Sequence, residues 1–336
     1  MTADSATDRP LDRRGAQDVA DLVERAVAGD ARAVGRLISL VEDASPQLRE
    51  VMAALAPRAG KARVVGLTGA PGVGKSTTTA ALVTSYRARG SRVGVLAVDP
   101  SSPFSGGALL GDRVRMQDHA TDGGVFIRSM ASRGHLGGLA WSTPQALRVL
   151  DAAGFDVILV ETVGVGQAEV EIASHADTTV VLLAPGMGDA MQAMKAGILE
   201  IADIFVVNKA DRDGADNTVR DLRNAASLDA GAHGDRPATR WRPPILKTVA
   251  ARSEGIAEVV QAIDDHHAWL AESGELQRRR TARAAAEIEA IAVTALRARL
   301  GDLHGDAAID DLAAAVVAGT TDPYAAADAL VASLTG

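Results

Sequence analysis

The most informative residues of this chain form one glycine-rich run, residues 69–76, between a predicted strand and a predicted helix. The run reads G-A-P-G-V-G-K-S and fits the phosphate-binding pattern G-x-x-x-x-G-K-[ST]. Glycines let successive backbone N–H groups point at phosphate oxygens, and the positive end of the helix dipole adds to the attraction. Lys75 is expected to reach the β- and γ-phosphates, and Ser76 to bind Mg²⁺. The predicted phosphate-binding residues are Gly69, Ala70, Pro71, Gly72, Val73, Gly74, Lys75, Ser76 and Thr77.

A second motif, N-K-A-D at residues 208–211, ends another predicted strand and fits the N-K-x-D pattern of guanine-binding proteins. The Asp211 carboxylate can accept hydrogen bonds from N1–H and the exocyclic amine of guanine, a donor pair that adenine lacks. A site built around such polar pairs can reject an analogue by on the order of 10⁴-fold. Lys209 is predicted to pack its stem on the base, beside Asn208. The alternative is an ordinary strand-end turn, in which these residue types are common.

The next predicted strand ends in the short turn Thr248, Val249 and Ala250. Small residues at this position can offer backbone groups to the oxygen of guanine. The motif is weak by itself, because many strands end in similar turns. We predict that these three residues complete the base-binding part of the site.

Two acidic residues at the ends of predicted strands are candidates for a magnesium site. Asp99 lies in V-D-P-S-S-P, and Glu161 opens E-T-V-G-V-G-Q. The carboxyl ends of parallel strands meet at one edge of a sheet, where carboxylates and the Ser76 hydroxyl supply the oxygen ligands that Mg²⁺ prefers. Glu161 stands where many GTPases have the acid of D-x-x-G, so it can act through a water molecule. Gly164 is then predicted to sense the γ-phosphate through its amide.

Two glycine-rich segments predict moving loops near the phosphates. Residues 104–111 contain Gly and Ser without periodicity and lead into Asp112. The run P-G-M-G-D, which ends at Asp189, follows another predicted strand, and Lys195 lies behind it. A charged loop near a phosphate is a candidate switch. The alternatives are a solvated loop and, for Lys195, an exposed helix lysine.

The elements that must position these residues are predicted to be parallel strands alternating with helices. Several strands are apolar at consecutive positions, which is typical of strands covered by helices on both faces. This alternation predicts an α/β fold with a doubly wound, mostly parallel sheet and right-handed crossovers. The predicted strands are Val64–Thr68, Arg92–Val98, Val125–Arg128, Val157–Glu161, Thr179–Ala184, Ile204–Asn208 and Ile245–Val249.

The sequence predicts helices near both ends of the chain. We predict a disordered tail at 1–16, a helical extension at 17–60, the nucleotide-binding domain at 61–272 and a helical arm at 273–336. In the extension, Asp30 and the pair Ser45-Pro46 are predicted to open helices. The arm is either a lid on the sheet or a dimerisation arm. Dimerisation is favoured, because so long a helical hairpin needs a partner surface for its apolar side.

Composition excludes several classes of protein. The 336 residues contain 35 Lys+Arg, 43 Asp+Glu and no cysteine, so neither disulfides nor thiolate metal sites can form. The net charge of −8 argues against nucleic-acid binding. No apolar run approaches the length of a membrane span, and the polar N-terminus is unlike a signal peptide. We expect a cytoplasmic protein that binds neither nucleic acid nor membrane.

Taken together, the motifs resemble those of one family. The set G-A-P-G-V-G-K-S-T, V-D-P-S-S-P, E-T-V-G-V-G-Q, N-K-A-D and G-D-x-x-Q-x-x-K-A-G-I resembles the MeaB/ArgK family from about residue 17 onward. These proteins are P-loop GTPases of the SIMIBI class and chaperones of methylmalonyl-CoA mutase. Of these motifs, E-T-V-G-V-G-Q is the most specific to the family.

This resemblance implies slow hydrolysis of GTP to GDP with Mg²⁺, and a homodimer that binds an adenosylcobalamin-dependent acyl-CoA mutase. It implies that the chain gates cofactor loading and protects or reactivates the mutase. By motif, Asp99 and Glu161 serve the metal and the attacking water, and Gln167 lies in a second switch. Asp112 falls in the first switch, and Asp189 with Lys195 in a third.

Three other functions remain open from the sequence. A nickel-type metal-insertion GTPase shares the class, but such proteins usually carry Cys or clustered His. A kinase of an amino-acid transport system would transfer the γ-phosphate to a protein. An interaction module with a degenerate site is disfavoured by the intact pair Lys75 and Ser76.

Overall fold

A computed structural model describes residues 13–100, 121–132, 142–162, 168–186, 200–232, 241–300 and 307–335. The chain divides into two compact units between Arg279 and Arg280, within one long helix. The predicted borders at residues 16, 60 and 272 stay predictions. No helix in the described ranges is long and apolar enough to cross a membrane.

The first unit is built on a seven-stranded parallel sheet in the order β3-β2-β4-β1-β5-β6-β7, which confirms the predicted fold class. All seven predicted strands are present. One bound differs by four residues, because the pairing of β3 with β2 continues to Ser132 and polar side chains do not interrupt backbone pairing. The strands are β1 Arg63–Thr68, β2 Val93–Pro100, β3 Val125–Ser132, β4 Val157–Thr162, β5 Thr178–Leu183, β6 Ile204–Val207 and β7 Ile245–Lys247.

Helices cover both faces of this sheet, which explains the consecutive apolar residues in its strands. Alternate residues of β1, β2 and β4 point to opposite apolar cores, one shared with α4 and α8 and the other with α5 and α6. Gly94 of β2 lets α5 approach closely, since a Cβ there would lie 3.0 Å from Leu150 Cδ1. Among the described residues of this unit, the helices are α1 Arg13–Val27, α2 Ala31–Glu42, α3 Leu48–Leu55, α4 Lys75–Ala88, α5 Thr143–Ala152, α6 Ala168–His175, α7 Ala215–Ala232 and α8 Ile256–Glu272.

Helices α1 to α3 pack on the apolar core that contains α5. Asp30 caps α2 as predicted, since its side chain accepts from the backbone N–H groups of Arg32 at 2.8 Å and Ala33 at 3.2 Å. The prediction for Ser45-Pro46 is wrong by two residues. The Ser45 hydroxyl instead accepts from Gln47 N at 3.3 Å in a turn, and α3 begins at Leu48.

Three further helices lie in the described residues after Glu272: α9 Glu275–Leu300, α10 Ala307–Val317 and α11 Pro323–Thr335. The first turns of α9 belong to the first unit, whereas α10 and α11 lie in the second unit and pack against each other. Several large apolar side chains of these helices are exposed, among them Ile288 at 67%, Leu296 at 58% and Val317 at 89%.

Candidate functional site

The glycine-rich run forms a loop between β1 and α4, at the carboxyl edge of the sheet. Gly69, Gly72 and Gly74 adopt φ of 138°, 82° and 100°, a backbone region that side chains rarely adopt. A Cβ on Gly69 would collide with the carbonyl oxygen of Leu182, and one on Gly74 with the side-chain amide of Asn208. The loop therefore needs glycine both for its curvature and for the close approach of its neighbours.

Lys75 is the first residue of α4, and its ammonium group is folded back onto the loop. Its Nζ donates to the carbonyl oxygens of Gly69 at 2.7 Å and Ala70 at 3.0 Å. The side chain is only 6% exposed. A buried positive charge is thus held at the loop, where the sequence motif predicts phosphate binding.

Glu161, at the end of β4, is bound by two hydroxyl groups of α4. Ser76 Oγ donates to one carboxylate oxygen at 2.6 Å, and Thr79 Oγ1 lies 2.9 Å from the other. Glu161 is 3% exposed. The backbone of Asp99 lies at the end of the neighbouring strand β2, but its side chain is outside the described part of the chain.

Thr79 is the residue of this group that the sequence motifs did not predict. It lies three positions after Ser76, and residues at that spacing share one face of a helix. A hydroxyl at this spacing behind the phosphate motif was the available signal. Thr79 is fully buried, so it positions the carboxylate from inside the protein.

Asn208 joins the glycine-rich loop at 69–76, called the phosphate loop below, to the predicted base-binding turn at 248–250. Its Nδ2 donates to Val73 O at 2.9 Å, and its Oδ1 accepts from Thr248 Oγ1 at 3.1 Å and from Ala250 N at 3.0 Å. The side chain is 2% exposed. Three segments that lie far apart in the sequence thereby form one hydrogen-bonded network.

Lys209 and Asp211 lie on the accessible side of this network. Lys209 adopts the left-handed φ of 56°, and its Nζ donates to Gly72 O at 2.5 Å. The Asp211 side chain is 42% exposed, with the Arg252 guanidinium 3.9 Å from one of its oxygens. Asp211 is therefore accessible to a ligand, as base recognition requires.

The structure brings most of the predicted nucleotide-binding residues together at one edge of the sheet, and their roles toward a nucleotide stay predictions. Several other predicted residues lie outside the described part of the chain: Asp112, Gly164, Gln167, Asp189 and Lys195.

The opposite edge of the sheet holds a buried polar cluster around His266. Its Nδ1 lies 2.9 Å from Thr178 Oγ1, and its ring packs against Trp241 and Trp269. Burial lowers the pKa of His266 to about 4, so the ring is neutral, although its Nε2 lies 3.3 Å from the carboxylate of Asp203.

Asp203 holds the start of α9 in this cluster. Both of its carboxylate oxygens lie 3.1 Å from the Arg279 guanidinium, and one also accepts from Thr179 N at 2.8 Å. Every oxygen of this carboxylate is thus used within the protein, and the cluster connects two strands to a helix.

Comparison with known proteins finds relatives over most of the chain. The family described as methylmalonyl Co-A mutase-associated GTPase MeaB matches residues 34–303. A Pyrococcus abyssi protein named "Putative GTPase" is 47% identical over 316 residues, covering 94% of this chain and 97% of its own length. The Escherichia coli GTPase ArgK is 37% identical over 266 residues, covering 77% and 79% of the two chains.

A solved structure is also similar to this chain over nearly its whole length. A crystal structure of a LAO/AO transport system kinase is 28% identical, covers 95% of this chain and 98% of its own, and has a TM-score of 0.68. With a matching family profile over most of its length, a parallel sheet and an intact phosphate loop, the chain belongs to the MeaB family of GTPases.

Proposed function

We propose that this chain is a slow, Mg²⁺-dependent GTPase whose nucleotide state controls its assembly with an adenosylcobalamin-dependent acyl-CoA mutase, namely methylmalonyl-CoA mutase. The observation that carries the nucleotide part is the Asn208 network, which connects the phosphate loop to the base-binding turn. The mutase part rests on the family description. In this role the chain gates cofactor loading and protects or reactivates the mutase.

The residues at the carboxyl edge fit a nucleotide with a magnesium ion. The Ser76 hydroxyl and the Glu161 carboxylate lie 2.6 Å apart, and both are oxygen ligands of the kind that Mg²⁺ prefers. When bound, Mg²⁺ neutralises charge on the phosphates. The Lys75 ammonium exchanges loop carbonyls for phosphate oxygens. Asp99 and Gln167 are proposed to complete the set of residues that binds the metal and the attacking water.

Hydrolysis is proposed to be slow until a partner binds. Phosphoryl transfer needs positioned charge, and an arginine supplied by a partner can accelerate it by a factor of about 10³–10⁵. Asp112, Asp189 and Lys195 are proposed to move with the γ-phosphate and to report its presence to the mutase. Gly164 supplies the amide that senses this phosphate.

The exposed apolar side chains of the C-terminal helices support a homodimer. Ile288 and Leu296 of α9 and Val317 of α10 are more than half exposed. Large exposed apolar side chains in one region are typical of protein interfaces. A second copy of the chain is the occupant that we propose, and light scattering of the purified protein measures its mass.

Binding assays with purified methylmalonyl-CoA mutase test the central proposal. A complex that forms with a non-hydrolysable GTP analogue and not with GDP, or the reverse, supports nucleotide control. Equal binding in both states contradicts it. Base recognition is tested separately with Asp211→Asn, for which we expect the preference for GTP over ATP to fall by at least tenfold. If wild-type protein binds ATP as tightly as GTP, the assignment of Asp211 is wrong.

The similarity to a solved LAO/AO transport system kinase favours one second candidate, a kinase of a transport system. Such a kinase shares the phosphate loop but transfers the γ-phosphate to a protein. With γ-labelled GTP, release of free phosphate supports the GTPase, whereas label retained on a transport protein supports the kinase.

A further inference from the structure

A polar groove lies at the amino edge of the sheet, far from the phosphate loop. Its volume is about 840 Å³, within the usual range for small-molecule sites. The start of β1, the end of α4 and the segment after α5 form its walls, and Asp264 of α8 joins them. Since β1 is six residues long, the groove lies roughly 17 Å from the loop that follows this strand.

Two guanidinium groups in this groove share one carboxylate. Arg63 lies 2.5 Å and Arg89 2.7 Å from the two oxygens of Asp264. This group of three therefore carries one excess positive charge, and the exposed Lys61 adds another at the rim. Guanidinium groups bind carboxylates and phosphates through paired hydrogen bonds.

The remaining acidic groups of the groove are engaged by the backbone. Asp151 accepts from the N–H groups of Gly60, Lys61 and Ala62, and Asp156 accepts from Arg92 N at 2.7 Å. Their oxygens stabilise the chain at the ends of neighbouring segments. Backbone hydrogen bonds leave the negative charge of both carboxylates in place, so the four basic and three acidic side chains that line the groove sum to one positive charge.

Tyr86 provides a second observation, independent of the charges, that points to a ligand. Its side chain lines the groove and is 3% exposed, and its hydroxyl has no hydrogen-bond partner in the part of the chain that the structure describes. Buried polar groups are nearly always paired, so an unpaired hydroxyl at a charged groove needs an explanation. Burial raises the pKa of Tyr86, and the phenol stays protonated and can donate a hydrogen bond.

We propose that this groove binds a small molecule through a carboxylate or phosphate group, which accepts from the Tyr86 hydroxyl and is held by Arg63 and Arg89. The site is separate from the nucleotide site and uses none of its residues. A ligand here contacts the end of α4, the helix whose first residue is Lys75. It therefore binds the same helix as the nucleotide, at the other end.

Calorimetric titration of the full chain, saturated with GDP so that the phosphate loop is occupied, tests the proposal. The probes are inorganic phosphate and succinate, which distinguish the two kinds of oxyanion. We expect saturable binding of at least one probe. Tyr86→Phe should weaken it about fivefold and Arg89→Gln at least tenfold. Arg49→Gln, an exposed arginine that does not line the groove, is the matched control and should bind like wild type.

Three results overturn the proposal. The first is no saturable heat with either probe. The second is binding that Tyr86→Phe and Arg89→Gln leave unchanged but Lys75→Ala abolishes, because the anion then lies at the phosphate loop. The third is a lower melting temperature of Tyr86→Phe with unchanged probe affinity, which would give the hydroxyl a structural role only.

Discussion

The two edges of the central sheet hold polar groups in different ways. At the carboxyl edge, Lys75 is bonded to the carbonyls of a glycine loop, and Asp211 is exposed with one distant arginine. At the amino edge, Asp203 is bonded to Arg279 and to the backbone of β5, and His266 is fully buried. The first arrangement can exchange its partners for a ligand, whereas the second cannot without breaking contacts of the fold. The phosphate loop thus has partners that a ligand can replace, whereas the bonds of the Asp203 cluster hold strands and a helix together.

Replacing Lys75 should give the largest effect, a loss of GTP turnover without a loss of stability. In Lys75→Ala we expect GTP turnover to fall about 10³-fold, because a positioned donor to the reacting phosphate is lost. The melting temperature should change little, since the lysine donates to two backbone carbonyls of the phosphate loop. Turnover and thermal unfolding are measured on the same preparation. Turnover within tenfold of wild type would contradict the assignment.

Replacing Arg279 should instead lower the stability of the fold and leave GTP binding unchanged. Removing one partner of a buried ion pair costs about 3–5 kcal/mol, and partial exposure of Arg279 reduces the expected loss to about 2–3 kcal/mol. Denaturant unfolding of Arg279→Ala measures this loss, with the exposed Arg49→Ala as control. The Michaelis constant for GTP should stay within twofold. A large change in GTP affinity with unchanged stability would show that the comparison is wrong.

The pH dependence of stability should report His266. Its pKa is lowered from 6.5 to about 4 by burial, so the unfolded chain binds more protons between these values. The contribution of His266 is present above pH 6.5 and is lost as the pH falls toward 4. Between pH 7 and pH 5 the unfolding free energy should decrease by about 2 kcal/mol from this group.

The control for this prediction is His266→Gln, which lacks the titrating ring. Its unfolding free energy should depend less on pH in that window than that of wild type, whatever its absolute stability. Equal pH dependence of the two proteins would mean that His266 does not titrate as described.

A matched pair of glycines gives the smallest expected effect. Gly74 and Gly60 have similar φ, 100° and 103°, but a Cβ meets the Asn208 amide only at Gly74 and open space at Gly60. Both alanine variants should lose about 1 kcal/mol of stability from the backbone conformation. Only Gly74→Ala should also lose affinity for GDP, by at least tenfold. Equal GDP affinity in the two variants would mean that the loop tolerates the added methyl group.

Much of the fold was predictable because its signals are local. The phosphate loop is a contiguous run, and its glycines at 69, 72 and 74 have the φ values that the motif requires. The strands were recognisable as apolar runs, but the length of β3 was not, since it depends on pairing with β2. Thr79 was missed because its spacing from Ser76 places it on the same face of the helix but does not show that this face meets Glu161, 82 positions away.

The sequence alone determined which segments become strands and helices, and which run forms the glycine loop before α4, because these depend on side-chain periodicity and on backbone sterics over a few residues. Only the tertiary structure decided that Asn208 connects residues 73 and 250, that Ser76 meets Glu161, and that Thr178, Asp203 and Trp241 meet around His266. Those contacts follow from the order of the strands in the sheet. No local spacing encodes that order, because it is set by the packing of the whole domain.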